Sequence, residues 1–156
     1  MKAALYALGC AALLAACAPM PSTAPVAPAT RAAGSDCPVD AQSLPVQALY
    51  GTWSARFEGI AGTARVVLER HPEYEGVRGT ITRGNGASTT VAQLAGDVDN
   101  DGLLTIDESQ DGRSISGIWQ GAPQAGACAR EFRGMWRNTA EDRTHPFVLE
   151  KTGQWQ

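Results

Sequence analysis

The acidic residues best placed to do chemistry lie in one twelve-residue segment, residues 97–108, which reads DVDNDGLLTIDE. Acidic side chains stand at its first, third and fifth positions, glycine at the sixth, an aliphatic residue at the eighth and glutamate at the twelfth. Calcium takes roughly six to eight oxygen ligands from a loop that coils around the ion, and this spacing supplies them. The segment is the most specific metal-binding pattern in the chain.

The segment resembles the calcium loop of an EF-hand. That resemblance implies as calcium ligands Asp97, Asp99, Asp101, the carbonyl of Leu103, Thr105 through water, and Glu108. An EF-hand also requires flanking helices, whereas the residues on both sides of the loop alternate as strands do. The alternative is an acidic β-turn in which Asn100 and Gly102 supply the permissive backbone angles, and both interpretations stand. Calcium is the one cofactor that the sequence indicates.

Catalytic groups are sparse outside this segment. His71 and His145 each precede a proline at a predicted strand edge and are far apart in sequence. No GxSxG, HExxH or CxxC motif accompanies them, and no nucleophile stands beside a base. We therefore predict that the protein is not an enzyme.

The first residues are predicted to be a signal for export. A short positive start is followed by the apolar run of residues 3–14, which is too short to span a bilayer, and then by Leu14-Ala15-Ala16-Cys17. This last stretch resembles the lipobox of bacterial lipoproteins. The resemblance implies cleavage before Cys17 and acylation of its thiol; the alternative is an ordinary secretory signal with an incidental cysteine.

The predicted lipid anchor sets the domain organisation and the location. Residues 1–16 are the signal peptide, and residues 17–35 are the lipidated cysteine and a linker rich in proline and alanine. Residues 36–156 form the folded domain. In the sorting rule of enteric lipoproteins, aspartate at the second mature position retains the protein in the inner membrane. Ala18 stands there, which favours an outer-membrane anchor in the bacterial cell envelope.

Two cysteines remain in the folded domain, Cys37 and Cys128. The bacterial periplasm is oxidising, so a disulfide between them is the simplest prediction. A redox or metal-binding role is the alternative, but neither cysteine belongs to a CxxC motif or has a neighbouring histidine.

The folded domain is predicted to be all-β. From Tyr50 onward, short β-branched and aromatic runs are separated by clusters rich in Gly, Asp, Asn and Pro, and no stretch keeps a helical period over three turns. The predicted strands are Tyr50 to Glu58, Thr63 to Arg70, Glu75 to Arg83, Ser88 to Gly96, Leu103 to Asp107, Ser114 to Gly121, Ala129 to Arg137 and His145 to Thr152. Closure of such a meander hides both edges, which predicts a small eight-stranded antiparallel up-and-down β-barrel.

Alternation along each strand predicts which side chains point into the barrel. The predicted inward residues are Gly51, Trp53, Ala55, Phe57, Ala64, Val66, Leu68, Val77, Gly79, Ile81, Leu104, Ile106, Ile115, Gly117, Trp119, Phe132, Gly134, Trp136, Phe147 and Leu149. Glycine stands two positions before tryptophan in three of these strands, on the same inner face. An inward glycine beside an indole allows a strand to coil sharply without overpacking.

This Gly-x-Trp pattern resembles the first barrel strand of the lipocalin and avidin superfamily, whose members are eight-stranded barrels that hold small ligands. Gly51 and Trp53 carry the resemblance, which covers residues 50–152 by architecture. The biotin-binding residues of avidin have no counterpart in this chain, so no ligand follows from the resemblance.

The predicted function is that of a non-enzymatic binding module for a small hydrophobic ligand or an envelope protein. A calcium-binding lipoprotein is one alternative, and a structural or inhibitory lipoprotein with a filled barrel is another. Strand direction places Trp53 and Trp119 in the half of the barrel near the linker and Trp136 at the far, open mouth, where it is the predicted ligand contact. Thirteen basic against sixteen acidic residues, with no basic run, argue against nucleic acid as a partner.

Overall fold

The computed structural model describes residues 41–42 and 44–153. Eight antiparallel strands follow one another around a closed barrel, each paired with its neighbours in sequence and the last with the first. The strands are β1 (Gly51–Phe57), β2 (Ile60–Arg70), β3 (Val77–Arg83), β4 (Thr90–Val98), β5 (Leu104–Ser109), β6 (Gly117–Pro123), β7 (Glu131–Asn138) and β8 (Arg143–Gly153). The predicted all-β barrel is confirmed. Among the described residues, the helices are short 3₁₀ turns and none could span a bilayer.

The alternating pattern determines the barrel interior. Along β1 the residues alternate between buried and more exposed positions, and the same alternation continues through β2 and β5. The largest side chains that are almost completely buried include Trp53, Trp119, Phe132, Phe147, Leu68, Ile81, Leu104 and Leu149. These residues come from strands all around the barrel, so the apolar core lies within the lumen.

One predicted inward residue is wrong. Ile115 is 44% exposed and lies before β6, which begins at Gly117. The preceding segment is held in a loop, since the Ser116 amide donates to the carbonyl of Glu108 and the Thr139 hydroxyl donates to the carbonyl of Ile115. These bonds keep Ile115 out of the ladder, so the alternation of β6 does not reach it.

The end of the barrel at which β1 starts, called here the near end, is covered by the chain that precedes this strand. The 3₁₀ helix Val46–Leu49 buries Val46 and Leu49. Trp53 Nε1 donates to the Leu49 carbonyl at 2.7 Å, and Lys151 Nζ donates to the Ala48 carbonyl at 2.6 Å. The same ammonium lies 5.1 Å from the Trp53 ring centroid. This gives the tryptophan of the first Gly-x-Trp pattern a definite role, because its ring and its N–H fasten the 3₁₀ helix onto the barrel.

The opposite end, called here the far mouth, has an irregular wall. Ala55 pairs with Ala64 and Phe57 pairs with Ile60, so residues 61–63 of β2 lie opposite Arg56 alone. On its other side β2 pairs with β3 from Arg65 onward only. Residues 61–63 therefore have no partner strand in the register on either side, and they form a bulge at the rim of the far mouth.

Candidate functional site: the far mouth of the barrel

The far mouth contains a buried carboxylate, which is Glu108 of β5 with a relative exposure of 1%. Its Oε1 accepts a hydrogen bond from Arg83 Nη1 at 2.5 Å, and its Oε2 accepts one from Arg83 Nη2 at 2.8 Å. The same Oε2 accepts from the indole N–H groups of Trp119 at 3.1 Å and Trp136 at 3.2 Å. Four donors thus converge on one carboxylate, and they offset the large cost of removing its charge from water.

The local sequence explains how these groups meet. Glu108 continues the inward alternation of Leu104 and Ile106, so the strand carries its carboxylate into the lumen. It pairs with Gly117 on β6, where an added Cβ atom would lie 2.4 Å from Trp136 Nε1 and 3.3 Å from Glu108 Oε2. The missing side chain at Gly117 therefore makes the room in which the indole N–H reaches the carboxylate.

Arg83 connects this buried pair with solvent. Its side chain is 22% exposed, and its guanidinium carbon lies 5.1 Å from the ring centroids of both Phe57 and Trp136. A guanidinium has five N–H donors, and two of them are used by Glu108. The other three form no hydrogen bond with any described residue. Arg83 is therefore held firmly by two rings and a carboxylate while it keeps donors for another acceptor.

A crevice of about 170 Å³ opens beside Arg83. Phe57 lies on one side of it, and the bulged segment Ile60–Ala64 of β2 faces Gly84 and Asn85 of the turn that follows β3. The crevice exists because β2 and β3 separate at this end of the barrel, where their pairing stops at Arg65 and Thr82. It combines an apolar surface, unpaired strand backbone and guanidinium N–H groups.

The lumen below the mouth is filled by aromatic side chains. Ring centroids are 4.9 Å apart for Phe57 and Trp119, and 5.0 Å apart for Trp119 and Phe147. Deeper in the barrel, Trp53 and Phe132 meet edge to face at 5.7 Å. Such rings pack as a protein core does, and the crevice at the rim lies beside them, with Phe57 common to both.

The tryptophans are distributed differently from the prediction. Trp136 lies at the far mouth as predicted, but it is 6% exposed and is a partner of Glu108. The prediction that Trp119 lies in the near half is wrong: Trp119 is directly opposite Trp136, because β6 begins later than predicted and Trp119 is its third residue. Trp53 is at the near end, as expected.

The predicted calcium ligands are not brought together. Asp97 lies in β4 and pairs with Thr105, whereas the carboxylate of Glu108 lies inside the barrel and accepts hydrogen bonds from Arg83. Within residues 41–42 and 44–153, no group of three or more His, Cys, Asp or Glu side chains is placed to hold a metal ion. The segment does not form the EF-hand arrangement, and calcium binding by its three aspartates stays a prediction.

The acidic segment forms a turn. Asp99 Oδ1 accepts from the amides of Asp101 at 2.9 Å and Leu103 at 2.8 Å, and the Asp99 amide donates to the Leu103 carbonyl. Gly102 has a φ of 80°, and a Cβ atom there would lie 2.5 Å from that of Ala41. Glycine in this turn thus allows the chain leading to the 3₁₀ helix to pass over it.

The remaining predicted site residues are placed as follows. Cys128 is disulfide-bonded; Cys37 and the lipidation residue Cys17 lie outside the described residues, so the pairing and the lipid stay predictions. His71 stacks on Tyr74 with centroids 3.8 Å apart, and His145 Nδ1 lies 2.9 Å from the Glu58 carbonyl. The two histidines occupy opposite ends of the barrel.

Asp111 provides a test of the loop before β6. Its carboxylate accepts hydrogen bonds from the amides of Ser114 and Arg113, which lower the pKa from 3.8 to about 2. A lowered pKa in the folded state means that the stabilisation is present above pH 3.8 and is lost as the pH falls towards 2. We expect a carboxyl NMR titration of Asp111 to have a midpoint near pH 2. The difference in the free energy of unfolding between the protein and Asp111→Asn should disappear as the pH falls from 3.8 towards 2. A midpoint near 3.8 would contradict the loop geometry.

Comparisons with known proteins return nothing that identifies the chain. No family model matches it, and neither a curated protein nor a solved structure is similar at a significant level.

Proposed function

We propose that this chain is a lipid-anchored protein of the bacterial cell envelope, held in the outer membrane, whose barrel is a non-enzymatic binding module of lipocalin or avidin type. Its ligand or protein partner binds at the far mouth. The lipobox-like residues 14–17 support the anchor, and the closed eight-stranded barrel with its Gly-x-Trp strand supports the likeness.

The crevice at the far mouth is the observation that carries the binding proposal. Arg83 has three N–H donors that no described residue accepts, and they lie next to the apolar ring of Phe57 at a rim where β2 and β3 are not paired. Recognition sites commonly join apolar surface with a few fixed polar groups, and Glu108 and the two rings fix this guanidinium. The far mouth is also the end opposite the 3₁₀ helix at which the chain enters the barrel, so a partner meets no obstruction from that segment.

A second candidate is a structural or inhibitory lipoprotein without an internal ligand. The aromatic filling of the lumen favours it over a carrier that encloses its cargo. The two candidates differ in whether the rim binds anything, so one experiment separates them.

The binding test uses the mature chain carrying Cys17→Ser, titrated with benzoate, benzyl alcohol, decanoate and calcium, with EDTA as the metal-free reference. We expect the amide chemical shifts of residues 60–64 and 83–85 to change on titration with at least one organic probe. Ala61→Trp should fill the crevice and abolish these shifts, whereas Val91→Trp on the outer wall should leave them intact. Absence of rim shifts with every organic probe favours the structural candidate, and rim shifts that survive Ala61→Trp contradict the crevice as the site.

The anchor has its own prediction. Cys17→Ser should abolish metabolic labelling with palmitate, because the acceptor thiol is removed, while Cys10→Ser should retain it. Gel fluorography after labelling with a radioactive or clickable palmitate gives the result. Labelling that persists in Cys17→Ser would show that the lipobox interpretation is wrong.

A further inference from the structure

We propose that Asn85 is a site of spontaneous deamidation, through which the turn between β3 and β4 acquires a carboxylate beside the crevice as the protein ages. Asn85 is exposed and is followed by Gly86. Both residues lie in the turn that follows β3, and Asn85 lines the crevice together with Arg83. The modification is separate from the proposed binding of a ligand or partner.

The reaction needs only the chain itself and water. The backbone nitrogen of Gly86 attacks the side-chain amide carbon of Asn85, and the new C–N bond replaces the bond from that carbon to the NH₂ group. The displaced nitrogen leaves as ammonia with the proton of the attacking amide. Water then opens the cyclic imide at either of its carbonyls, which gives aspartate or isoaspartate.

The structure leaves the attacking nitrogen available. Within residues 41–42 and 44–153, the Gly86 N–H donates to no acceptor, and the Asn85 side chain forms no hydrogen bond. Asn85 has an extended backbone with φ −145° and ψ 155°, so ring closure requires rotation of the peptide unit between the two residues. One described hydrogen bond restrains this unit, from the Ser88 amide to the Asn85 carbonyl at 3.2 Å. There is room for the rotation, because even a Cβ atom added at Gly86 would meet nothing within 4 Å.

The other two asparagines of the chain serve as internal controls, because the nitrogen that would attack each of them is hydrogen-bonded. The residue after Asn100 donates its amide to Asp99 Oδ1 at 2.9 Å. The residue after Asn138 donates its amide to the Ser116 carbonyl at 3.1 Å. Both following residues also carry side chains, which crowd the nitrogen as glycine does not. Asn85 is therefore the asparagine at which attack meets the least resistance.

The product changes the charge of the crevice. Of the described residues that line it, Arg83 alone is charged, and its guanidinium is already paired with the buried carboxylate of Glu108. A new carboxylate at residue 85 therefore gives the crevice a net negative charge. Isoaspartate also adds a methylene group to the backbone and so reshapes the wall that faces the bulged segment of β2. We expect the far mouth of an aged molecule to disfavour anionic ligands.

The test follows all three asparagines in the mature Cys17→Ser chain, kept in mildly alkaline buffer either folded or unfolded in guanidinium chloride. Digestion with pepsin in acid suppresses further reaction, and chromatography with mass spectrometry measures aspartate and isoaspartate at each position. We expect the ratio of unfolded to folded rate to be at least about tenfold smaller at Asn85 than at Asn100 or Asn138, where attack must await local opening. Equal protection of the three, or no product at Asn85 in the folded protein, would overturn the proposal.

Three variants separate the reaction from its effect. Asn85→Gln should form no product at this position, because the longer side chain must close a larger ring. Asn85→Asp represents the aspartate product and should change the amide chemical shifts of residues 60–64, which line the crevice. Asn100→Asp adds the same charge in the turn at the near end and should leave them unchanged. Unchanged shifts in Asn85→Asp would show that the carboxylate does not affect the crevice. Neither measurement uses a ligand, so both outcomes are independent of the proposed binding function.

Discussion

Arg83→Ala is expected to lower the free energy of unfolding by about 3–5 kcal/mol, because it leaves the carboxylate of Glu108 buried without its cation. The two indole N–H groups would remain on Oε2, but Oε1 would lose its donor from Arg83. Urea unfolding followed by tryptophan fluorescence measures the change. The control is Arg133→Ala, whose ion pair with Glu131 is on the surface and should contribute only about 0–1 kcal/mol.

The double variant Arg83→Met with Glu108→Leu tests whether burial of the charge is the cause. Removing both charges replaces the ion pair by apolar groups, which is often neutral or stabilising. We expect the double variant to recover part of the stability lost in Arg83→Ala, because it removes the unpaired buried charge but leaves the indole N–H groups of Trp119 and Trp136 without their acceptor. A double variant as unstable as the single one would show that the unpaired buried charge is not the main cause of the loss.

The barrel could be predicted from the sequence because its main signal is local. In β1 and β5, apolar residues recur at every second position, and this period alone indicates which face is buried. Glycine-rich and aspartate-rich segments of hairpin length separate the strands, so an up-and-down order follows with little ambiguity. The predicted start of β6 is wrong, because the Asp111 carboxylate accepts hydrogen bonds from the amide and hydroxyl of Ser114 and so extends the loop into residues whose composition suits a strand.

The candidate site was missed because it depends on barrel closure. Extending the inward alternation by two residues, from Ile106 and from Ile81, would have placed Glu108 and Arg83 inside. Their contact joins β3 to β5 across the intervening β4, between residues 25 apart in sequence. The distance in space between the Arg83 and Glu108 side chains is determined by the stagger of the closed sheet, and no short window of sequence contains that information. Glu108 was instead assigned to the acidic segment, where the twelve-residue spacing is matched but the backbone is extended.

Trp53→Ala is expected to destabilise the protein by about 3–5 kcal/mol, as for other tryptophan truncations in a core. The ring is fully buried, and its loss would leave a cavity beside Phe132. It would also remove the hydrogen bond to the Leu49 carbonyl and the surface on which Lys151 lies, so the 3₁₀ helix would lose two of its attachments. Hydrogen exchange should therefore accelerate in residues 44–50 as well as in the barrel.

Two milder variants separate the cavity from the attachment. Trp53→Phe keeps much of the ring but loses the N–H donor, and Lys151→Met removes the donor to the Ala48 carbonyl while leaving the ring in place. Each should accelerate exchange of residues 44–50 more than exchange of β5 and β6. Since burial lowers the pKa of Lys151, its ammonium is partly desolvated, and the methionine regains part of the lost stability. If both variants instead loosen the whole barrel equally, the 3₁₀ helix is an inseparable part of the core and does not act as a cover fastened at the near end.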